Sequence, residues 1–243
     1  MSLCKLPLVS PASKAEPLHD QLLARILAEG APPTADAEQG PAAAETSERI
    51  LAAAAQQVED FGLRRFTIDD VARRLGLSRV TIYRYFPKRD RLVQAVLMRE
   101  LHRFLEQVGA AIEPCQTLEE KLVEGVVFAL GYLRRHRLLQ RVLRTEPELL
   151  LPALTVRAGP VLTAGREFIA GFVRAESEHG QLPLTGQEIE VVSELLARAV
   201  LSFLLTPDSA LGMQTDKEVR AFAEHYLAPT LRALMQLPPR GRQ

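Results

Sequence analysis

Residues 79–88 gather side chains suited to reading a polyanion that carries a patterned edge. The guanidinium forks of Arg79 and Arg84 match the hydrogen-bonding edge of guanine, while Val80 and the methyl of Thr81 suit the methyl group of thymine. Tyr83 and Tyr85 project from the flanks, where phenolic hydroxyls would meet phosphate oxygens. Lys88 adds a cation beside the start of the next helix, a position that accepts anions. Within residues 71–91 the cations are Arg73, Arg74, Arg79, Arg84, Lys88, Arg89 and Arg91, against the single acid Asp90. Such a local excess is the electrostatic footprint of a nucleic-acid binder.

Two short helices must hold these groups. Thr67 is a good N-cap, and Asp70 three residues on can close a capping box with it. Ile68, Val71, Ala72 and Leu75 then fall at i, i+3, i+4 and i+7, one face of one helix. Gly76 ends it where a left-handed residue carries no Cβ penalty. Ser78 caps the second helix, whose Ile82 and Phe86 point inward, and Pro87 stops it. This is a helix-turn-helix with the polar side of its second helix free for the DNA major groove. The expected DNA-contacting set is Thr67, Ser78, Arg79, Val80, Thr81, Tyr83, Arg84, Tyr85 and Lys88, with Thr67 and Lys88 clamping phosphates. A basic helical hairpin can also be an ordinary solvated piece of a helical domain. That alternative leaves unexplained two aromatics outside the buried face of a short helix.

Residues 46 to about 104 resemble the DNA-binding domain of the tetracycline-repressor (TetR) family of bacterial regulators. The resemblance rests on Ile50, Ala54 and Phe61-Gly62, on Thr67-Ile68 and Val71-Ala72, and on Leu75-Gly76-Leu77-Ser78. It continues through residues 81–86 and 88–92, in order over one domain's length. Members usually carry a small residue where this chain has Val80, so the preferred DNA sequence does not carry over from a relative. The resemblance implies a homodimeric, cytoplasmic repressor, released from a palindromic operator by a small, apolar or aromatic effector.

Composition bounds the rest. A chain of 243 residues has room for two domains. Its formal net charge of zero hides the local basic excess. Cys4 and Cys115 make no disulfide framework, which fits a reducing cytoplasm. No apolar run approaches a membrane span, and no signal peptide is convincing. His19, His102, His136, His179 and His225 lack ligand spacing, so neither a metal site nor a cofactor is expected. Nucleotide-binding, hydrolase and metalloprotease signatures are missing, which argues against an enzyme.

The expected architecture is all-α. Residues 1–45 form a flexible extension, with a short amphipathic helix over 18–29 and a linker over 30–45. Residues 46–104 form a three-helix DNA-binding domain with a connecting helix. Its first helix runs from about 47 to 61, with Ile50, Ala54, Val58 and Phe61 inside. Residues 105–243 form a helical effector-binding and dimerisation domain. Breaks at Pro114, Pro147, Pro152, Pro160, 180–183 and 207–209 leave helices at 118–136, 138–145, 161–179, 186–205 and 216–235, the last kinked at Pro229. The helix at 186–205 shows an apolar face too wide for a monomer's surface helix, through Val191, Leu195, Ala199 and Phe203 with Val192, Leu196, Val200 and Leu204 beside them. By resemblance, the helices at 186–205 and 216–235 pair across a two-fold axis; from the pattern alone, plain core helices are the weaker alternative. Candidate effector-lining residues are Phe128, Tyr132, Leu139, Leu143, Phe168 and Phe172, with His136 or Arg141 as polar handles. Apolar residues at such spacing are usually plain core. A helical dimer whose second domain binds another protein, or a DNA binder without effector sensing, stays open as an alternative.

Overall fold

The computed structural model describes residues 41–178, 184–206 and 210–235, and every regular element among them is a helix. The expected helix over 18–29 lies outside the described residues. Helix α1 (Pro41–Phe61) starts inside the stretch read as linker. Pro41 is tolerated at a first helical position, Ala42, Ala43 and Ala44 favour helix, and the Thr46 hydroxyl donates to the Ala42 carbonyl at 2.8 Å. Phe61, expected in the core, is 47% exposed. Gly62 turns the chain there with φ 83°, and Leu63 and Phe66 take the core positions instead.

Helices α2 (Ile68–Leu75) and α3 (Arg79–Tyr85) follow the capping logic of their sequence. Thr67 accepts from the Asp70 amide, Gly76 sits at φ 65°, and Ser78 accepts from the Thr81 amide. Ile50, Ala54, Val58, Val71, Ile82, Phe86, Leu92 and Val96 close the core of this head. Helix α4 (Arg89–Ile112) spans 24 residues, about 36 Å at 1.5 Å per residue. Its first half seals the head and its second half enters the remaining helices.

Those are α5 (Leu118–Arg135), α6 (Arg137–Thr145), α7 (Pro147–Leu154), α8 (Gly159–Glu178), α9 (Gly186–Leu205), α10 (Asp216–Phe222) and α11 (Ala228–Met235). Capping boxes at Thr117/Glu120, Thr185/Glu188 and Thr215/Glu218 start α5, α9 and α10. Helix α7 was not expected, because Pro147 and Pro152 read as breaks. Pro147 instead occupies the start of α7, and Leu150 and Leu154 give it a buried stripe. A π turn over Ala223–Leu227, closed by the Ala228 amide on the Ala223 carbonyl, links α10 to α11 just before Pro229. The widened turn accommodates a residue that lacks an amide donor and crowds the preceding turn.

The head is not a separate body. Leu138, Val142, Leu150 and Leu154 from α6 and α7 belong to the same buried cluster as Ile50, Phe66 and Val96. Glu146, at the corner between α6 and α7, is 7% exposed and accepts hydrogen bonds from the Leu63 amide at 2.6 Å and the Arg64 amide at 3.1 Å. Ion pairs Arg64–Glu148 and Arg137–Glu59 flank this contact. A Cβ on Gly62 would stand 2.6 Å from a Glu146 carboxylate oxygen. Gly62 therefore serves both the turn and the close approach.

Glu146→Ala should lower stability by about 1–3 kcal/mol, because it strands buried amides. Gly62→Ala should do so by a similar amount through positive φ and displacement of the carboxylate. Urea denaturation at fixed protein concentration checks both. Since the residues touch, the double variant should lose less than the sum of the two. Strictly additive losses would show that the contact is not energetically coupled.

Candidate functional site

The exposed side of α3 carries most of the expected reading set. Val80 is 79% exposed, Tyr83 41%, and Ser78, Arg79, Arg84 and Lys88 are also exposed, with Thr81 half-buried. Ser78 and Thr81 share a 2.9 Å hydroxyl contact that fixes the first turn. Thr67 donates its hydroxyl to Asp70 at 2.6 Å, which holds the Asp70 carboxyl below its usual range, with Arg73 adding to the effect. Lys88 caps α4 through its backbone alone.

Tyr85 is the exception. It is 8% exposed and packs in the head core with Ile82 and Phe86. Spacing explains this: residues 82, 85 and 86 stand at i, i+3 and i+4, a single stripe of a helix. The ring instead supports Arg84, whose guanidinium carbon lies 5.5 Å from its centroid. The basic excess is also smaller than the count over 71–91 suggested. Asp60, Asp69 and Asp70 stand just outside that window and pair with Arg74, Arg79 and Arg73. Arg89 reaches back to the Phe66 and Leu63 carbonyls. Among the described residues, Arg84 and Lys88 have no acidic partner within ion-pair distance.

The second feature is a cavity of about 280 Å³ walled by α4 to α9 and Leu231. Five of the seven expected lining residues reach it: Tyr132, His136, Leu139, Phe168 and Phe172. Phe128 and Leu143 do not. Phe128 packs in a neighbouring cluster with its ring 5.9 Å from Tyr132, and Leu143 packs against the head core. Arg141 is likewise absent from the lining. The wide apolar face of α9 divides. Val192, Leu196, Val200 and Leu204 line the cavity, while Val191 (53%) and Leu195 (61%) remain exposed, as does Tyr226 (58%). Phe203 stacks edge-on with Phe222.

Polar groups are scarce in the lining, which contains Glu100, Lys121, Tyr132 and His136 and is otherwise apolar. His136 accepts from the Leu139 amide through Nδ1, leaving Nε2 to donate to Glu100 at 3.2 Å. Burial opposes ionisation of Glu100. The His136 hydrogen bond and the charges of Arg99 and Arg103 outweigh it and hold the carboxyl below its ordinary range. Burial raises the Tyr132 phenol, with the Glu100 charge adding to the effect. Glu100 was not anticipated, although its position was legible. Leu92, Val96, Phe104, Val108 and Ile112 recur every four residues on α4, and Glu100 is the acid in that row.

Among the described residues no helix is long and apolar enough to cross a membrane, and no group of His, Cys, Asp or Glu could hold a metal ion.

Residues 50–96 match the family described as "Bacterial regulatory proteins, tetR family", and residues 118–224 match "Bacterial Tetracyclin repressor, C-terminal domain". An uncharacterized HTH-type transcriptional regulator of Mycobacterium bovis is 34% identical over 103 residues, 42% of this chain and 52% of the relative. The HTH-type transcriptional regulator EthR of Mycobacterium tuberculosis is 41% identical over 71 residues, 29% of this chain and 30% of that one. The chain thus spans about half the length of the first of these relatives and less of the second. Among solved structures, the TetR family repressor AlkX from Dietzia sp. superposes with a TM-score of 0.60 at 28% identity, covering 77% of this chain and 98% of that chain.

Proposed function

Because the chain belongs to the TetR family of bacterial regulatory proteins, we propose that it is a homodimeric repressor, which binds a palindromic DNA operator through α3 and is released by an apolar effector in the cavity. In this reading Arg79, Val80, Thr81 and Arg84 meet base edges, and Thr67, Ser78, Tyr83 and Lys88 meet the backbone. Tyr85 acts from within the core, as the platform under Arg84. The exposed apolar residues of α9 and Tyr226 form the dimer face, which sets two reading helices about 34 Å apart on the DNA.

One observation carries the regulatory part. Leu138, Leu139, Leu150 and Leu154 line the cavity, and they also belong to or pack against the head core. A ligand that displaces them shifts the seat of α1 and α4 and with it the spacing of the two heads. A coupling of about 1–3 kcal/mol between effector and operator is typical of such devices.

Selection of random duplex DNA on the purified protein, followed by sequencing, tests the reading. A palindrome with half-sites one helical turn apart is the expected result. Sequence-blind, salt-sensitive binding would leave a general DNA binder and overturn the operator assignment.

On the selected operator, Tyr83→Phe should weaken binding about fivefold, the worth of one hydrogen bond. Tyr85→Phe should leave affinity within about twofold, since its ring packs in the head core and the residue is only 8% exposed. Arg84→Ala should relax preference at one base position, at a cost of about 1–3 kcal/mol. Titrations by fluorescence anisotropy compare the three. A larger loss from Tyr85→Phe than from Tyr83→Phe would mean that α3 lies on the DNA in a different orientation.

A further inference from the structure

We propose that the cavity takes a slender, mainly aliphatic chain with an uncharged, hydrogen-bond-donating end group seated at Glu100, and that it discriminates against the corresponding carboxylate. This rests on reading the cavity as an effector site, and it adds the ligand's shape and the chemistry of one end.

Shape comes first. On α5 the lining runs as an unbroken stripe from Leu118 to Leu133 and on to His136 at the helix end. That path is about 27 Å long at helical rise. A volume of about 280 Å³ spread along such a wall fits a slender channel better than a round chamber. Gly125, Ala129, Gly165 and Ala197 are among its lining residues. Apolar walls of this kind favour a methylene chain, each buried methylene contributing about 0.8 kcal/mol.

Chemistry separates the ends. Glu100, Tyr132 and His136 cluster at one end, with the Tyr132 and His136 rings 5.3 Å apart. The cations around that end are already committed. Arg99 bonds Glu48 at 2.7 Å and Glu100 at 2.6 Å, and Arg103 lies 3.9 Å from Glu100. Counting Arg99, Arg103, Glu48 and Glu100, the formal charges cancel. An incoming carboxylate would meet the ionised Glu100 without a spare cation and lose its hydration. A hydroxyl or amide donor meets an acceptor instead. The low pKa of Glu100 keeps that acceptor charged at neutral pH. Lys121 enters the lining about 22 Å from His136 along α5, too far to neutralise a group at Glu100.

Isothermal titration calorimetry on the full-length protein at pH 8, with 1-dodecanol and dodecanoate below their aggregation limits, is the test. The alcohol should bind about tenfold tighter or better, and Glu100→Gln should narrow the preference about threefold or more. Equal or tighter binding of dodecanoate by the unsubstituted protein, in whichever orientation, would overturn the proposal. Nile red serves as a neutral apolar control. Saturable binding of Nile red with neither chain bound would overturn this inference and leave the effector-site reading standing. No binding of any of the three would sink both.

Discussion

The carboxylate of Glu146 is nearly out of solvent, and the backbone amides of Leu63 and Arg64 make that tolerable. A buried charge without partners would be expelled or neutralised, so the corner between α6 and α7 has to stay docked on the turn after α1. Gly62 completes the arrangement, since any larger residue would push the carboxylate away. Around this polar contact lies a single apolar cluster drawn from α1 to α4 and from α6 and α7. The turn that seats the reading head therefore depends on a residue more than eighty positions later in the chain.

That dependence gives the cavity its mechanical meaning. Helix α4 packs with the head at Leu92, Ala95 and Val96 and lines the cavity from Leu97 onward. A helix transmits a tilt along its length because its hydrogen bonds resist bending locally. Leu138, Leu139, Leu150 and Leu154 provide a second route, because the same side chains touch both the cavity and the head core. Two routes converge on one short element, whose exposed face holds Val80, Tyr83 and Arg84. Packed interiors respond to displacement by shifting between arrangements, so small changes in filling can reorient a head.

What could be read from sequence follows the range of the interactions involved. Thr67, Gly76 and Ser78 act within four residues of themselves, and the limits of the helix-turn-helix they mark are legible. The boundaries of α5, α6 and α9 were legible for the same reason, within a residue of capping sites or prolines. Tyr85 escapes a reading in which Ile82 and Phe86 alone mark the buried face, because the i+3 position belongs to the same stripe. The cations of 71–91 looked unpaired because Asp60, Asp69 and Asp70 sit just outside that stretch. Helix α7 is hidden by Pro147, which fits the first position of a helix, and by Pro152, which lies inside this one.

The cavity lies at the far limit of this range. Apolar spacing shows that Phe128, Tyr132 and Phe172 face inward, but it does not distinguish contact from a gap between side chains. That distinction depends on the sizes of residues on six helices at once, and Phe128 and Leu143 lie on the packed side of it. The divided face of α9 shows the same ambiguity from outside. The apolar residues that read as one broad stripe divide, with Val192, Leu196, Val200 and Leu204 toward the cavity, Val191 and Leu195 toward solvent and Phe203 against Phe222. A stripe this wide cannot be buried by one neighbour alone. Helix α8 and the cavity account for one side, and the exposed side is the face given to the second copy in the proposed dimer. In the proposed dimer, α9 would place effector and partner back to back on one helix, so that filling the cavity bears on the interface as directly as on the head.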